Sequence, residues 1–446
     1  MSQSPTDLDR HPLLQESGSL LIKSLREHPN APRFTDSCGD WLDAAGLEQV
    51  RAFQKELEGL DTGWSLGNRP AWLEDFTAFC RREVPAYRAY GPAELPFDHL
   101  PVVTRADLSR APWNFVPDSQ PLTDLVLYHT SGSTGHPLDV LSHPVVASMH
   151  LPLIRIALAR RGVRLAGGPG KVAMAMVCFQ QHTITCVSIS AFLEQAGFVK
   201  VNLNPLDWRD PDDRARYLDA VAPEVISGDP LSFDELAHLP VRLRPAALVS
   251  TSMALLPAFH RQLEERFGCP VIDLYSLNET GPVAAGVPGE HVLLPHRLYL
   301  EILDPSGREC SPGERGEVTL TGGFNPFLPL LRYRTGDWAS LEWRGGSPVL
   351  VGLQGRPPVE FRGENGQRIN NIDVTRALQP FALTQFTLHQ AASGALTLGV
   401  VGDLSAESAI RSTLAGLFGT GLRLTIQAVD PAAAAGSKLV QYTRDL

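Results

Sequence analysis

The chain has 446 residues, enough for two or three domains, and its 43% hydrophobic and 20% charged residues are typical of a globular protein. Its 39 basic and 49 acidic residues give a formal net charge of −10, which argues against a surface built for nucleic acid or an anionic membrane. The N-terminal residues show no signal region with a basic start and an apolar run. Polar residues interrupt the most apolar stretch, 172–193, so we expect no membrane span.

The six cysteines are scattered along the chain, and no two of them form a Cys-x2-Cys pair. Zinc ribbons and disulfide scaffolds are therefore not expected. Because such thiols suit a reducing compartment, we expect the protein to be cytoplasmic.

The first hundred residues are predicted to be mainly helical. Apolar residues recur every three or four positions in 45–60 and 72–82. Thr104 and Asp107 then form a typical signal for the start of a helix.

Between residues 120 and 285 the pattern alternates short apolar runs with helical stretches. The predicted strands are 125–128, 172–177, 198–203, 224–227, 247–250 and 271–274. The predicted helices are 142–161, 183–196, 211–221, 230–238 and 255–267. This alternation indicates βαβ units and an α/β fold with a mainly parallel sheet. Such sheets bind ligands beyond the carboxyl ends of their strands, where we expect the loop 129–137 to lie.

Residues 290–355 are predicted to form an antiparallel β subdomain, since turns separate short alternating runs such as Leu298–Leu303. The remainder reads as a small α+β unit with strands near 386–388 and 396–401 and an amphipathic helix over 405–418. Prolines at 357 and 358 mark a boundary. We therefore predict a large domain over 1–353, a hinge over 354–358 and a small C-terminal domain over 359–446.

The first segment whose residues suggest a chemical function is YHTSGSTGHP, residues 128–137, directly after an apolar run. Its two glycines allow close approach of the backbone, and its hydroxyl groups add hydrogen-bond donors beside the exposed N–H groups. These features suit a cradle for polyphosphate. The segment is not a Walker loop, because the pattern Gly-x4-Gly-Lys-Ser/Thr is absent.

Two further segments add carboxylates. Tyr275, Asn278, Glu279 and Thr280 follow an apolar strand, so that a ring suited to stacking on a base stands near a carboxylate suited to a hard cation. In the run LRYRTGD, Asp337 follows a glycine turn, where a carboxylate can accept hydrogen bonds from the two hydroxyl groups of a ribose.

In this order and at these separations, the three segments resemble the adenylate-forming superfamily of acyl- and aryl-CoA synthetases, nonribosomal adenylation domains and luciferases. The resemblance covers most of the chain. It is nearest to phenylacetate-CoA ligase-like enzymes, because VPAYR at 84–88 and LPVVTRADL at 100–108 are similar to the N-terminal signature of that subgroup.

The resemblance implies a magnesium-dependent reaction of ATP, a carboxylic acid and CoA, with a small C-terminal domain that moves between half-reactions. It implies that Glu279 binds Mg²⁺, that Asp337 binds the ribose and that Lys438 reaches the α-phosphate during adenylation. The remaining expected contacts with ATP are Thr130, Ser131, Gly132, Ser133, Thr134, Gly135, Tyr275, Asn278, Thr280 and Arg356. A homodimer is implied by analogy with the subgroup.

The acid-binding pocket has fewer signals. Phe179 and His182 follow a predicted strand and Ser252 follows another, so these three residues are candidates for its border. The subgroup analogy favours an aryl acid.

Two alternatives stay open at this point. An adenylating enzyme can pass its acyl group to an amine or a carrier-protein thiol, and a degenerate relative can bind nucleotide without turnover. His136, in place of a loop lysine, and Pro357–Pro358 at the hinge favour the non-enzyme. The presence of Glu279 and Lys438 favours an enzyme.

Overall fold

The computed structural model describes residues 5–59, 64–65, 67–90, 95–123, 125–130, 138–354, 359–378, 380–381, 383–402, 406–429 and 441–445. They form two compact units. Unit 1 comprises the described residues of Met1–Asp61, His143–Leu277 and Gly281–His296, and unit 2 those of Thr62–Ser142, Asn278–Thr280 and Arg297–Leu446. Each unit is thus assembled from three separate stretches of chain.

The helices, in chain order, are α1 (Asp7–Arg10), α2 (Glu16–Arg26), α3 (Ala44–Glu58), α4 (Trp72–Glu83), α5 (Pro85–Arg88), α6 (Arg105–Arg110), α7 (Pro144–Ala159), α8 (Asp213–Val221), α9 (Pro230–His238), α10 (Pro257–Phe267), α11 (Asn371–Leu378) and α12 (Glu407–Phe418). Short 3-10 helices cover Phe97–His99, Pro112–Phe115 and Pro205–Asp207. In the part of the chain that the structure describes, no helix combines the length and the apolar character needed to cross a membrane.

The strands are β1 (Val126–Thr130), β2 (Leu138–Ser142), β3 (Val172–Cys178), β4 (Cys186–Ser190), β5 (Ala196–Asn202), β6 (Val225–Gly228), β7 (Ala247–Ser250), β8 (Val271–Leu277), β9 (Gly281–Val287), β10 (Glu290–Leu293), β11 (Leu298–Leu303), β12 (Arg315–Gly322), β13 (Leu330–Arg344), β14 (Ser347–Gln354), β15 (Glu360–Arg362), β16 (Arg368–Asn370), β17 (Leu383–Gln390), β18 (Leu396–Gly402), β19 (Leu424–Ala428) and β20 (Tyr442–Arg444).

Unit 1 is built on a sheet whose strands run in the order β10-β9-β8-β7-β6-β3-β5-β4. The five strands β5, β3, β6, β7 and β8 are parallel, and antiparallel strands flank them on both sides. All residues of β6 and β7 are buried, as expected for strands covered on both faces. Side chains of α2, α8, α9 and α10 pack with the sheet in one hydrophobic core. The expected α/β fold is confirmed.

Unit 2 contains the antiparallel sheet β11-β12-β13-β14, as the alternating runs predict. Its C-terminal part is α+β, also as predicted, with a sheet in the order β19-β18-β17-β20. That part has a hydrophobic core of its own, which runs from Phe361 to Tyr442 and includes the buried face of α12. The proposed division at 354–358 stays a prediction, because residues 355–358 lie outside the described ranges.

Two predicted elements are wrong. The stretch 183–196 is not a helix, since Cys186–Ser190 alternates β-branched with small residues and pairs antiparallel with β5. The strand predicted at 125–128 does not join the parallel sheet. It forms β1, which pairs antiparallel with β2, because the sequence after residue 137 alternates again and folds back as a hairpin.

A disulfide joins Cys38 to Cys186 across 148 residues of sequence, with the Cα atoms 5.8 Å apart. The sequence analysis does not predict this crosslink, which removes two of the six cysteines from the thiols on which the expected reducing compartment was based. The stretch around Cys38 lies along β4, the last strand of the sheet. There the backbone N–H of Thr35 donates to the Thr185 carbonyl at 3.2 Å, and the N–H of Ala191 donates to the Asp40 carboxylate at 2.7 Å. The segment thus covers an otherwise open sheet edge.

A buried imidazole follows β10. His296 is 3% exposed, and its Nε2 lies 2.8 Å from the Pro282 carbonyl oxygen on β9. Burial lowers the pKa of His296 to about 4, with the hydrogen bond to Pro282 opposing this shift and the neighbouring His150 adding to it. The imidazole is therefore neutral in the folded protein at neutral pH.

We expect the Cys38–Cys186 crosslink to stabilise the folded protein by about 4 kcal/mol, because it restricts a long loop of the unfolded chain. Cys186→Ser should lower the midpoint of urea unfolding by a corresponding amount, and a reducing agent should do the same to the wild type. Cys269→Ser, at a buried cysteine that is not crosslinked, is the control. Equal midpoints for wild type and Cys186→Ser, with no crosslinked peptide in a non-reducing digest, would contradict this expectation.

His296 should make stability fall with acidification. The folded pKa of about 4 lies below the ordinary value of 6.5, so the unfolded chain binds more protons between these pH values. The contribution of neutral His296 to the free energy of unfolding is complete above pH 6.5. It is lost as the pH falls towards 4, and the total loss is about 3 kcal/mol. His296→Gln keeps a hydrogen-bond donor and should flatten this part of the profile. Urea unfolding at a series of pH values tests it, and an unchanged slope would refute the assignment.

Candidate functional site

The Gly- and Ser-rich segment follows β1 in the sequence and precedes β2, and residues 131–137 lie outside the described residues. The register pairs Thr130 with Leu138, so the two ends of the segment are held side by side. Leu138 and Val140 on β2 are 1% exposed and pack in the same hydrophobic cluster as Tyr333 on β13. Of the expected phosphate contacts, the backbone of Thr130 ends β1, whereas Ser131, Gly132, Ser133, Thr134 and Gly135 lie outside the described residues.

Glu279 is the most strongly constrained carboxylate of the site. It is 3% exposed, and its Oε1 lies 2.5 Å from Arg105 Nη1. The hydroxyl group of Tyr333 donates to the same oxygen at 2.9 Å. Burial, and secondly the charge of Glu279, raise the pKa of Tyr333 well above its usual range, so the phenol stays a donor. The three groups form a compensated buried network in unit 2.

Arg105 is placed by the chain that precedes it. Thr104 caps α6, with its side chain accepting from the Asp107 backbone while the Asp107 carboxylate accepts from the Thr104 backbone. One residue earlier, Val103 forms a bridge to Tyr333: its N–H donates to the Arg332 carbonyl at 3.0 Å, and its own carbonyl accepts from Arg334 at 2.8 Å. The segment before α6 therefore runs along β13 and brings Arg105 beside Tyr333.

The fit to a metal ion rests on Glu279. In the ranges that the structure describes, no cluster of three or more His, Cys, Asp or Glu side chains could hold a metal. Mg²⁺ is commonly bound by one or two carboxylates together with substrate phosphates and water, so a single buried glutamate fits a nucleotide-dependent site. In this structure Arg105 supplies the positive charge beside the carboxylate.

Asp337 lies in a bulge of β13. The register pairs Glu317 with Trp338 and Thr319 with Arg334, so the residues between them on β13 face only Val318. The Glu317 carboxylate fixes this bulge by accepting from Arg334 Nε at 2.6 Å and from the Gly336 backbone at 2.9 Å.

A φ of +77° at Gly336 requires glycine there. The backbone N–H of Asp337 donates to the Thr335 hydroxyl at 3.0 Å, and Asp337 is 7% exposed.

Tyr275 and the residues after it lie at the end of β8. Tyr275 is 9% exposed within the strand, and Thr280 is 3% exposed just before β9. Asn278, in the turn between them, is exposed. A positive φ of 71° at Gly281 ends the turn. Asn278, Glu279 and Thr280 thus lie in the turn after β8, whereas Tyr275 lies within the strand and not in the loop where the sequence predicts it.

The three pocket candidates lie in unit 1 beyond carboxyl ends of parallel strands. Phe179 is half-buried after β3, and its backbone N–H donates to the Ser232 hydroxyl at 2.9 Å. His182 is exposed in the same loop. Ser252 is exposed after β7 with a φ of +72°, a strained conformation for a serine. Their role in binding an acid stays a prediction.

Arg356 and Lys438 lie outside the described residues, so their expected roles also stay predictions. The sequence interpretation gave no role to Arg105 or to the Tyr333 hydroxyl, although both stand in segments that it singled out. Their motifs were visible in the sequence, but nothing in them distinguishes Arg105 or Tyr333 from the neighbouring polar residues until Glu279 lies beside them. Glu317 carried no recognisable signal.

Comparison with known proteins identifies the family of the chain. The family model of AMP-binding enzymes matches residues 86–325, which is more than half of the chain. Phenylacetate-coenzyme A ligase of Escherichia coli K12 is 34% identical over 91 residues, 19% of this chain and 21% of that protein. The Pseudomonas putida enzyme of the same name is 36% identical over 90 residues, 18% of this chain and 20% of its own. The matched segment spans about a fifth of either ligase.

Solved structures show the same fold over nearly the whole chain. A 2-hydroxyisobutyryl-CoA ligase in complex with 2-HIB-AMP and CoA has a TM-score of 0.54 at 19% identity, with 91% of each chain covered. The same ligase in the postadenylation state gives a TM-score of 0.51 at 18% identity, covering 91% of this chain and 90% of the other. These likenesses establish the fold, and the family model establishes the membership. The chain therefore belongs to the AMP-binding enzyme family, within the adenylate-forming superfamily.

Proposed function

We propose that this protein activates a carboxylic acid with ATP as an acyl-adenylate and transfers the acyl group to CoA as a thioester. The observation that carries the proposal is the buried link between Glu279 and Tyr333, four residues before Asp337 on the same strand. One buried network thus connects the carboxylate expected to bind Mg²⁺ with the strand that bears the carboxylate expected to bind ribose.

The chemistry explains why these groups suit the reaction. An oxygen of the acid attacks the α-phosphorus of ATP, pyrophosphate leaves, and the thiol of CoA then attacks the acyl carbonyl and releases AMP. Negative charge grows on phosphate oxygens in the first step, so N–H donors and cationic side chains are the useful groups. Magnesium, held by Glu279, would neutralise phosphate charge when bound.

The other roles follow from the family. The segment from Thr130 to Gly135 would contact the phosphates, Tyr275 the adenine and Asp337 the ribose. Arg356 would meet the nucleotide at the boundary of the small domain. Lys438 would donate to the α-phosphate and the acid, from a C-terminal domain that moves between the two half-reactions.

We propose an aryl acid as the substrate, because the segment similar to the two phenylacetate-coenzyme A ligases is more than 30% identical. Phe179, His182 and Ser252 would border the acid. A homodimer, by analogy with the subgroup, and a cytoplasmic location, from the absence of Cys-x2-Cys pairs, complete the proposal.

Acid-dependent exchange of labelled pyrophosphate into ATP tests the function. We expect exchange with at least one member of a panel of aryl, heteroaryl and aliphatic acids, strongest among the aryl acids, and release of free acyl-CoA when CoA is added. Exchange without a thioester would assign the protein to adenylating enzymes with another acceptor. ATP binding without exchange for any acid would identify a non-catalytic nucleotide binder.

Glu279→Gln tests the metal site. The amide keeps the shape of the side chain but removes the charge that would bind Mg²⁺, so half-maximal exchange should need at least about tenfold more Mg²⁺, the effect of losing about 1.4 kcal/mol of binding. Glu235→Gln is the matched control. In unit 1, the Glu235 carboxylate lies 2.8 Å from Arg214 Nη1, so its loss should lower stability without moving the Mg²⁺ titration. Superimposable titrations for Glu279→Gln and wild type would remove Glu279 from the metal site.

A further inference from the structure

A buried pair of side chains crosses three strands of unit 1 close to Tyr275. Asp273 on β8 lies opposite Gly286 on β9, and Gly286 lies opposite His291 on β10. Register partners project from the same face of a sheet, so the three residues form one row. Asp273 Oδ2 and His291 Nε2 are 3.0 Å apart.

This contact depends on the glycine between the two side chains. Strands β8 and β10 both pair with β9, so two strand spacings, about 10 Å, separate their backbones. Gly286 has no side chain, and the Asp273 carboxylate and the His291 imidazole meet across it. A Cβ atom at residue 286 would lie 2.0 Å from the Glu290 carbonyl oxygen, so alanine does not fit unless β10 shifts. The row therefore holds only while the three strands keep this register.

Burial makes the pair sensitive to the loss of either partner. Asp273 is 7% exposed and His291 is 3% exposed. Nδ1 of His291 is buried and has no hydrogen-bond partner among the described residues. A proton on Nδ1 would be an unsatisfied buried donor, so the ring carries its proton on Nε2 and donates it to Asp273. Removal of the imidazole would leave a buried carboxylate without this donor.

The Asp273–His291 pair lies close to Tyr275, the residue expected to contact adenine. Tyr275 follows Asp273 by two positions and projects from the same face of β8. Directly after Tyr275 the register with β9 shifts at a bulge between Tyr275 and Ser276. If the pairing of β8 with β9 shifted by one residue before the bulge, the Tyr275 side chain would turn to the opposite face of the sheet. The row of Asp273, Gly286 and His291 thus fixes the register of β8 two residues before the Tyr275 ring.

We propose that Asp273 and His291 are positioning residues for the nucleotide. Their contact across Gly286 fixes the register of β8 against β9 and β10, and this register sets the place of the Tyr275 ring. The inference rests on the proposed function in one respect, the assignment of Tyr275 to the adenine.

The test compares three variants with a matched control. Asp273→Ala and His291→Ala remove the contact, whereas His291→Gln retains an N–H donor near the position of Nε2. His260→Ala is the control: this imidazole is 7% exposed and lies 3.0 Å from the Val271 carbonyl, at the start of the same strand. The readouts are the Kd for ATP by calorimetry, KM for ATP and kcat in pyrophosphate exchange, and the melting temperature.

We expect Asp273→Ala and His291→Ala to weaken ATP binding about tenfold, with KM for ATP rising in parallel, the scale of one misplaced contact. His291→Gln should stay within about threefold of wild type, since one hydrogen bond is kept. His260→Ala should lower the melting temperature and leave the Kd unchanged. An unchanged Kd in His291→Ala, or an equal rise in His260→Ala, would overturn the inference. Wild-type ATP binding without acid-dependent exchange would overturn the proposed function instead, and the ratio of Kd values would still decide this inference.

Discussion

A buried carboxylate has to be compensated, and in unit 2 this requirement joins three distant parts of the chain. Glu279 follows β8, Arg105 opens α6 and Tyr333 lies on β13, yet their polar atoms meet at one oxygen. Taking a carboxylate out of water is costly unless ionic and hydrogen-bonding partners replace the water. In this fold α6 and β13 supply these partners, so the burial of Glu279 depends on both elements.

A buried ion pair formed by the residue next to Tyr333 supports the network around Glu279. Arg332, adjacent to Tyr333, bonds to Glu301 through both Nε and Nη2, at 3.2 and 3.0 Å. Its Nη1 donates to the carbonyl oxygens of Asp98 and Leu100 at 2.6 and 2.7 Å. The guanidinium thus ties the chain before α6 to β13 and β11. The Glu279 network and the Arg332–Glu301 pair both act on the same stretch of β13. Two sets of contacts therefore fix the position of Arg105.

Local patterns in the sequence predict much of this architecture. The strand Leu298–Leu303 and the helix cap at Thr104 are found as expected, because each depends on residues within one turn or one strand. The C-terminal α+β arrangement is also predicted, since α12 shows a clear apolar face and its flanking strands alternate.

Contacts between residues far apart in sequence are not predicted. Within the helix expected at 183–196, Cys186–Ser190 is a strand because β5 offers it an edge, and its five alternating residues are too few to reveal this from the sequence alone. The partner of Cys38 is 148 residues away, so cysteine spacing carries no sign of it. Arg105 becomes notable only once Glu279 lies beside it. In the candidate site, the sequence indicates which motifs matter, and tertiary packing decides which side chains within them meet.

The segmented composition of unit 1 has a consequence for synthesis on the ribosome. Its last stretch, Gly281–His296, supplies β9 and β10, including the histidine that meets Asp273. The α/β core therefore stays incomplete until residue 296 has left the exit tunnel, and by then the β1–β2 hairpin of the other unit has already emerged. A nascent chain stalled before this point exposes an unpaired β8 edge, which makes that interval the one in which chaperone binding is most needed.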